Sequence, residues 1–183
     1  GKPSGRKAVV RQRHEATLAA PMTEVFSALV QMLARSRWAS GERSARSGRL
    51  PRVGQLYVQR RGSVVRRGRV VECLRPVVLT LYESLFDPPC RVRLRLRWRL
   101  EPLETGSLVL LDANYELNGP AYLNRRHWRS EIHTHCGKLL KALAARLTDG
   151  PHRAYGVDSG QKIGSNSITV TNTTAVNGSP SFK

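Results

Sequence analysis

No run in this chain approaches the ~18 consecutive apolar residues that a membrane-crossing helix needs. Residues 1–15 lack the apolar centre of a secretory signal peptide. Cysteine is scarce: Cys73, Cys90 and Cys136 form no CxxC pair and are odd in number, which argues against a disulfide framework and predicts three free thiols. There is no GxSxG nucleophile elbow, no GxxxxGK phosphate loop and no HExxH metal pair, so hydrolase, nucleotide-binding and zinc-protease motifs are all missing. These absences predict a soluble, cytoplasmic protein, and 183 residues suffice for one domain with a sizeable core rather than two.

Negative charge is also short. Thirteen Asp and Glu face 31 Lys and Arg, for a net charge of +18, and only six of those cations are Lys. An excess of this size repels itself unless counterions or an anionic partner screen it. Arginine is the better fork for phosphate and carboxylate, yet a GC-rich genome produces the same bias, so composition alone proves no nucleic-acid role.

Composition divides the chain into a basic N-terminal arm over residues 1–13, a domain over 14–147 and a Ser/Thr/Asn/Gly-rich tail over 148–183. The tail has too few large apolar residues to offset its ordering entropy and reads as flexible. Its alternating SITVTNT offers an added edge strand as the alternative, and its glycosylation-type triplets at Asn172 and Asn177 read as chance matches without a signal peptide. The domain opens with a short alternating segment, His14–Ala19, and then Ala20-Pro21-Met22-Thr23-Glu24, a helix start. Val25, Phe26, Leu29, Val30 and Leu33 follow at helical spacing. Residues 35–52 read as a loop with one helical turn at Trp38.

From Gly54 the hydrophobic period becomes two. Gln55–Arg60, Val64–Leu74, Val77–Phe86, Arg91–Glu101 and Ser107–Asn118 read as five strands joined by gaps short enough only for antiparallel neighbours. In RVRLRLRWRL, Val92, Leu94, Leu96, Trp98 and Leu100 share one face and Arg91, Arg93, Arg95, Arg97 and Arg99 the other. For the apolar faces of this strand and the next to coincide, opposed residue numbers must sum to an odd value such as 207 or 209, which sets Asp112 and Glu116 opposite arginines. After Asn118-Gly119-Pro120 the period returns to helical through Leu123, Trp128, Ile132, Cys136, Leu139, Leu143 and Leu147, predicting one long helix over 120–147. The order strand, helix, meander, long helix is an α+β arrangement of about six antiparallel strands curved around a C-terminal helix.

The opening ATLAAPMTEVFSAL, the hairpins of GQLYVQRRGSVVRRGRVVECLRPVVLTLY and the helix end HCGKLLKALAARL together resemble the START-like, or SRPBCC, superfamily, in its polyketide cyclase and Hsp90-ATPase-activator-like branches. The resemblance runs over residues 14–147. It implies a helix-grip fold whose sheet and helix enclose a cavity for lipids, polyketides or other apolar molecules, with no cofactor. Tyr57, Tyr82, Trp98, Tyr115, Trp128 and Ile132 are the residues expected near that cavity, although each taken alone reads more readily as core filling.

Two other constellations compete. HWRSEIHTHC places His127, Glu131, His133, His135 and Cys136 within ten residues, but on a helix they spread over different faces, and a helix with ordinary Glu–His surface pairs and a buried thiol accounts for them without a metal. Residues 35–69 hold eleven arginines against one acid, Glu42. Arg60, Arg61, Arg66, Arg67 and Arg69 there, with the row from Arg91 to Arg99, form a candidate anion-binding face for nucleic acid, an anionic membrane surface or an acidic partner. Trp98 points away from that row, which argues against base stacking there. A solvated basic face is the plain alternative. The leading expectation is a binding or transport protein for an apolar or amphipathic small molecule, with nucleic-acid or acidic-partner binding and a cyclase-like enzyme as alternatives.

Overall fold

The computed structural model describes residues 5–38, 49–148 and 167–171. In chain order the elements are β1 (Lys7–Leu18), α1 (Met22–Leu33) continued by a π-helical turn at Ala34–Trp38, β2 (Leu56–Arg61), β3 (Val64–Leu74), β4 (Val78–Asp87), β5 (Cys90–Leu103), β6 (Gly106–Asn118), a one-turn α2 (Pro120–Leu123), α3 (Arg125–Thr148) and β7 (Ser167–Thr171). The strands form one antiparallel sheet in the order β2-β3-β4-β5-β6-β1-β7, and α1 and α3 lie on its inner face. Among the described residues no helix is long and apolar enough to cross a membrane.

The period-two pattern decides which side chains meet the helices. Val92, Leu94, Leu96, Trp98 and Leu100 of β5 are buried inward, as are Val109, Leu111, Ala113, Tyr115 and Leu117 of β6. The pairing runs from Val92↔Leu117 to Leu103↔Gly106, so opposed numbers sum to 209 and the apolar sides coincide. α1 contributes Val25, Phe26, Leu29, Val30 and Leu33 to the same core. Burying each such side chain is worth about 1.5–3 kcal/mol against leaving it in water, so the alternation fixes register and face together.

Three boundaries differ from the sequence reading. Residues 7–13, expected in a basic arm, are the first half of β1: Ala8, Val10 and Gln12 are in phase with His14, Ala16 and Leu18, and pairing with β6 is unbroken from Lys7↔Asn118 to Leu18↔Ser107. The single helix expected over 120–147 is broken at Asn124, so Leu123 is exposed instead of leading the apolar stripe. From the segment expected to be a tail, Ser167–Thr171 pair with the free edge of β1 as β7. Part of the loop expected over 35–52, with Glu42, Arg43 and Arg46, lies outside the described residues, as do the rest of the tail and Asn172 and Asn177.

Candidate ligand-binding site

Most of the space between sheet and α3 is filled. Trp98, Tyr115 and Phe26 are wholly buried there, together with leucines from β4, β5 and β6. Among the described residues, two recesses meet toward the β2–β3–β4 wing. One, of ≈160 Å³, has apolar walls from Val64, Leu85, Leu94, Trp128 and Ile132, with Asp87, His127 and Glu131 also lining it. The other, of ≈420 Å³, is bounded by Arg37, Gln59, Arg60, Arg61 and Leu139. Val64, Arg66 and His135 line both.

Between these recesses and the core sits a buried polar cluster that the register builds. Tyr57, Gly68 and Glu83 fall in one row across β2, β3 and β4. A Cβ on Gly68 would collide with the Tyr57 ring. Glycine therefore lets that ring cross β3, and its hydroxyl donates to Glu83 Oε1 at 2.7 Å. Arg37, delivered by the π-helical turn after α1, donates from Nε to the same oxygen at 2.6 Å. Arg66, one row along β3, holds Nη1 3.4 Å from Glu83 Oε2 and 3.4 Å from His135 Nε2.

Two guanidiniums thus share one carboxylate. The Arg37 and Glu83 side chains are 1% and 0% exposed and that of Arg66 is 18% exposed, so the surplus positive charge is held in a poorly solvated place. Arg37 Nη2 and Glu83 Oε2 make no hydrogen bond among the described residues. Burial by itself would raise the Glu83 carboxyl, but the charges of Arg37 and Arg66 and the bonds from Arg37 and Tyr57 hold it below the usual carboxylate range. Burial and then the Glu83 charge push the Tyr57 hydroxyl up, which keeps it a neutral donor. His135 is lowered to about 4 by burial and by Arg66 and Arg37, and is neutral at pH 7. Burial pushes the Cys136 thiol up to about 12, so it is no ready nucleophile. Fixed charge of this kind binds and orients an anionic or strongly polarised oxygen.

A second polar group lies under α3 at the other side of the sheet. Gln12 Nε2 donates to Tyr115 Oη at 3.0 Å and to the Arg129 carbonyl at 3.1 Å, and its Oε1 is 3.3 Å from His14 Nε2. The His14 ring lies 5.2 Å from that of His133. Burial and His133 lower His14 to about 4.

The six residues expected at the cavity separate. Trp128 and Ile132 line the smaller recess; Tyr57 is buried in the Glu83 cluster; Trp98 and Tyr115 fill the core. Tyr82 does not join them. It opposes Arg95 on the outer face, under the Arg69 guanidinium, because inward positions of β4 are Leu79, Leu81, Glu83 and Leu85. Of the expected anion-binding arginines, Arg66 points inward, since it shares a row with Leu85 and Gln59. Arg60 and Arg61 stand at the rim of the larger recess, and Arg67, Arg69 and the Arg91–Arg99 row lie on the outer face. Asp112 and Glu116 oppose Arg97 and Arg93 in register, yet they pair with β1 on their other side: Asp112 with Arg13 at 2.7 Å and Glu116 with Lys7 at 3.1 Å. The HWRSEIHTHC residues diverge, His127, Glu131 and His135 toward the recess and His133 toward His14. Among the described residues no group of three or more His, Cys, Asp or Glu is placed to hold a metal.

No protein-family model and no curated protein matches the chain. Solved structures do. An uncharacterized protein from Rhizobium leguminosarum aligns with a TM-score of 0.56 at 17% identity, over 79% of this chain and 99% of its own. A protein from Mesorhizobium loti gives 0.54 at 17% identity, over 78% and 97%. The Aha1 dimer from Colwellia psychrerythraea gives 0.51 at 14% identity, over 78% and 98%. At these identities the likeness is one of fold, and the chain has a helix-grip fold, a curved antiparallel sheet closed by a long C-terminal helix.

Proposed function

We propose that this protein binds an amphipathic small molecule carrying an anionic group, with its apolar part in the recess walled by Leu85, Leu94, Trp128 and Ile132 and its anion at Arg66. The observation that carries this reading is the charge imbalance beside an apolar recess: Arg37 and Arg66 share the single carboxylate of Glu83, and Arg66 borders both open spaces. A bound carboxylate or phosphate supplies the missing counter-charge where water screens it least, and the apolar walls supply burial. The apolar recess alone is small, ≈160 Å³; the adjoining recess that Arg66 also borders, of ≈420 Å³, falls within the ~300–1,000 Å³ common for small-molecule sites.

The test is native mass spectrometry of the purified protein with solvent extraction of any adduct, followed by calorimetric titration with dodecanoate and with dodecanol. Dodecanoate binding more tightly than the uncharged alcohol, with the preference abolished by Arg66→Gln and both affinities lowered by Trp128→Ala, supports the site. Equal affinity for acid and alcohol removes the anionic group from the reading, and no binding of either to the adduct-free protein overturns it.

A further inference from the structure

The outer face of the sheet, turned away from α1 and α3, carries a surface of different character. Read across five strands in register, one row runs Arg11, Asn114, Arg95, Tyr82, Arg69. It holds no acid. Strands stand about 4.8 Å apart, so its arginines recur about every 10 Å. The adjoining row adds Arg93 and Arg67. Of the acids of this face, Asp112 pairs with Arg13, Glu116 with Lys7, Glu72 with Arg97 at 3.5 Å and Glu101 with Arg99 at 4.0 Å, and Glu15 stands two positions beyond Arg13 on β1; Arg11, Arg67, Arg69, Arg93 and Arg95 make no ion pair among the described residues. A groove of ≈440 Å³ opens there between Arg11, Arg13, Arg95 and Arg97, floored by Asp112 and Asn114.

Aromatic rings are interleaved with this charge. The phase of β4 that sends Glu83 inward sends Tyr82 and Phe86 outward. Tyr82 lies 5.5 Å from the Arg69 guanidinium carbon, and Phe86, 38% exposed, lies 5.5 Å from that of Arg91. Arginines that track a backbone beside rings that accept unpaired bases are the two components of a single-strand binding platform. A sheet face of this kind offers no protruding helix for the major groove of a duplex.

We propose that the outer face of β3, β4, β5, β6 and β1 binds single-stranded nucleic acid, with Arg11, Arg69, Arg93 and Arg95 on phosphates and Tyr82 and Phe86 stacking on bases. This site is independent of the recess on the inner face, and its variants leave Arg66 and Trp128 untouched.

The experiment is fluorescence anisotropy of the full chain with labelled oligothymidylate and oligouridylate of about 20 nucleotides, from about 50 to 300 mM KCl, against a duplex of equal length, heparin and phosphatidylserine vesicles. Single strands are expected to bind more tightly than duplex, with affinity falling steeply with salt. Arg93→Gln with Arg95→Gln is expected to reduce the slope of log K against log salt by about 1.4, since each phosphate contact on a single strand contributes about 0.7. Tyr82→Ala with Phe86→Ala is expected to weaken oligonucleotide binding at least about fivefold while leaving the salt slope and heparin affinity unchanged. Tyr82→Phe keeps the ring and is expected to restore binding in the Phe86 background, with thermal melts confirming that each variant folds. Duplex bound as tightly as single strand, aromatic variants that bind oligonucleotide normally, or binding to vesicles without binding to oligonucleotide would each overturn the proposal, as would no binding at the lowest salt.

Discussion

Replacing Glu83 by glutamine removes one charge and almost no volume, and so isolates what the carboxylate does. In the wild type its Oε1 accepts from Arg37 at 2.6 Å and from Tyr57 at 2.7 Å, and its Oε2 faces Arg66. Glu83→Gln leaves Arg37 buried without a counter-charge, and removing one partner of a buried ion pair typically costs about 3–5 kcal/mol. For a chain of this size each kcal/mol lowers Tm by roughly 2–4 °C, so the expected drop is about 6–20 °C. The pH dependence is equally specific. Because the folded-state pKa of Glu83 is depressed, its stabilisation is complete above the ordinary carboxyl value near 4.5 and is lost as pH falls through the folded value. Urea unfolding of both proteins at pH 7 and at progressively lower pH should therefore show the gap narrowing only below about pH 4.5. The variant should also recover more stability than the wild type on adding dodecanoate, since a bound anion replaces the lost carboxylate; at 100-fold excess over Kd, binding returns about 2.7 kcal/mol. A loss below about 1 kcal/mol at pH 7, the size of an exposed pair, would refute the reasoning. A gap that stays constant into acid would refute it as well.

Two further outcomes follow from the same geometry. Gly68→Ala forces the Tyr57 ring off β3 and breaks its bond to Glu83; denaturant unfolding should show a loss of about 1–3 kcal/mol, and Tyr57→Phe in the same chain should then add little. His14 and His135 are held neutral, each lowered to about 4, so stability is complete above about pH 6.5 and declines as pH falls toward 4, where the unfolded chain binds protons that the folded one refuses. Thermal melts between pH 7 and 4 should decline in that window, and less so in His14→Gln.

Where the hydrophobic period was unambiguous, the sequence was enough. Strands β3 to β6 follow from alternation and turn residues, and the odd-sum rule fixed which faces of β5 and β6 coincide, because a slip of one residue would turn Trp98 outward; it left sums of 207 and 209 open, and the pairing takes 209. The Glu83 cluster was harder to see. β4 contains one signal, an acid in phase with Leu79, Leu81 and Leu85, which requires a buried cation opposite it. Its partners carry no such mark. Arg37 comes from a segment dominated by Arg and Ser, and in VVRRGRVV both phases of β3 hold arginine and valine, so alternation cannot tell Arg66 from Arg67. Only pairing to β4 separates them, Arg66 opposite Leu85 and Arg67 opposite Ser84. Tyr82 is a different case: it is out of phase with Leu79, Leu81 and Leu85, so the alternation of β4 itself places it on the outer face, away from the cavity.

The packing also bounds what the inner site can hold. A helix grip with small residues at its centre leaves a continuous tunnel under the long helix, but here Trp98 and Tyr115 occupy that position at 0% and 1% exposure, and the Gln12–Tyr115 bond ties the second of them to the backbone of α3 at Arg129. Among the described residues, open space on the inner face lies beside β2 and β3, which is also where the unbalanced arginines lie. Opening the centre should therefore enlarge the site without moving its charge. Trp98→Ala is expected to cost about 3–5 kcal/mol through the cavity it leaves. An alkanoate longer than dodecanoate should restore part of the loss, and the alkanol of the same chain length should restore less. Equal rescue by acid and alcohol would mean that the ligand's end never reaches Arg66, and that burial alone governs the inner face.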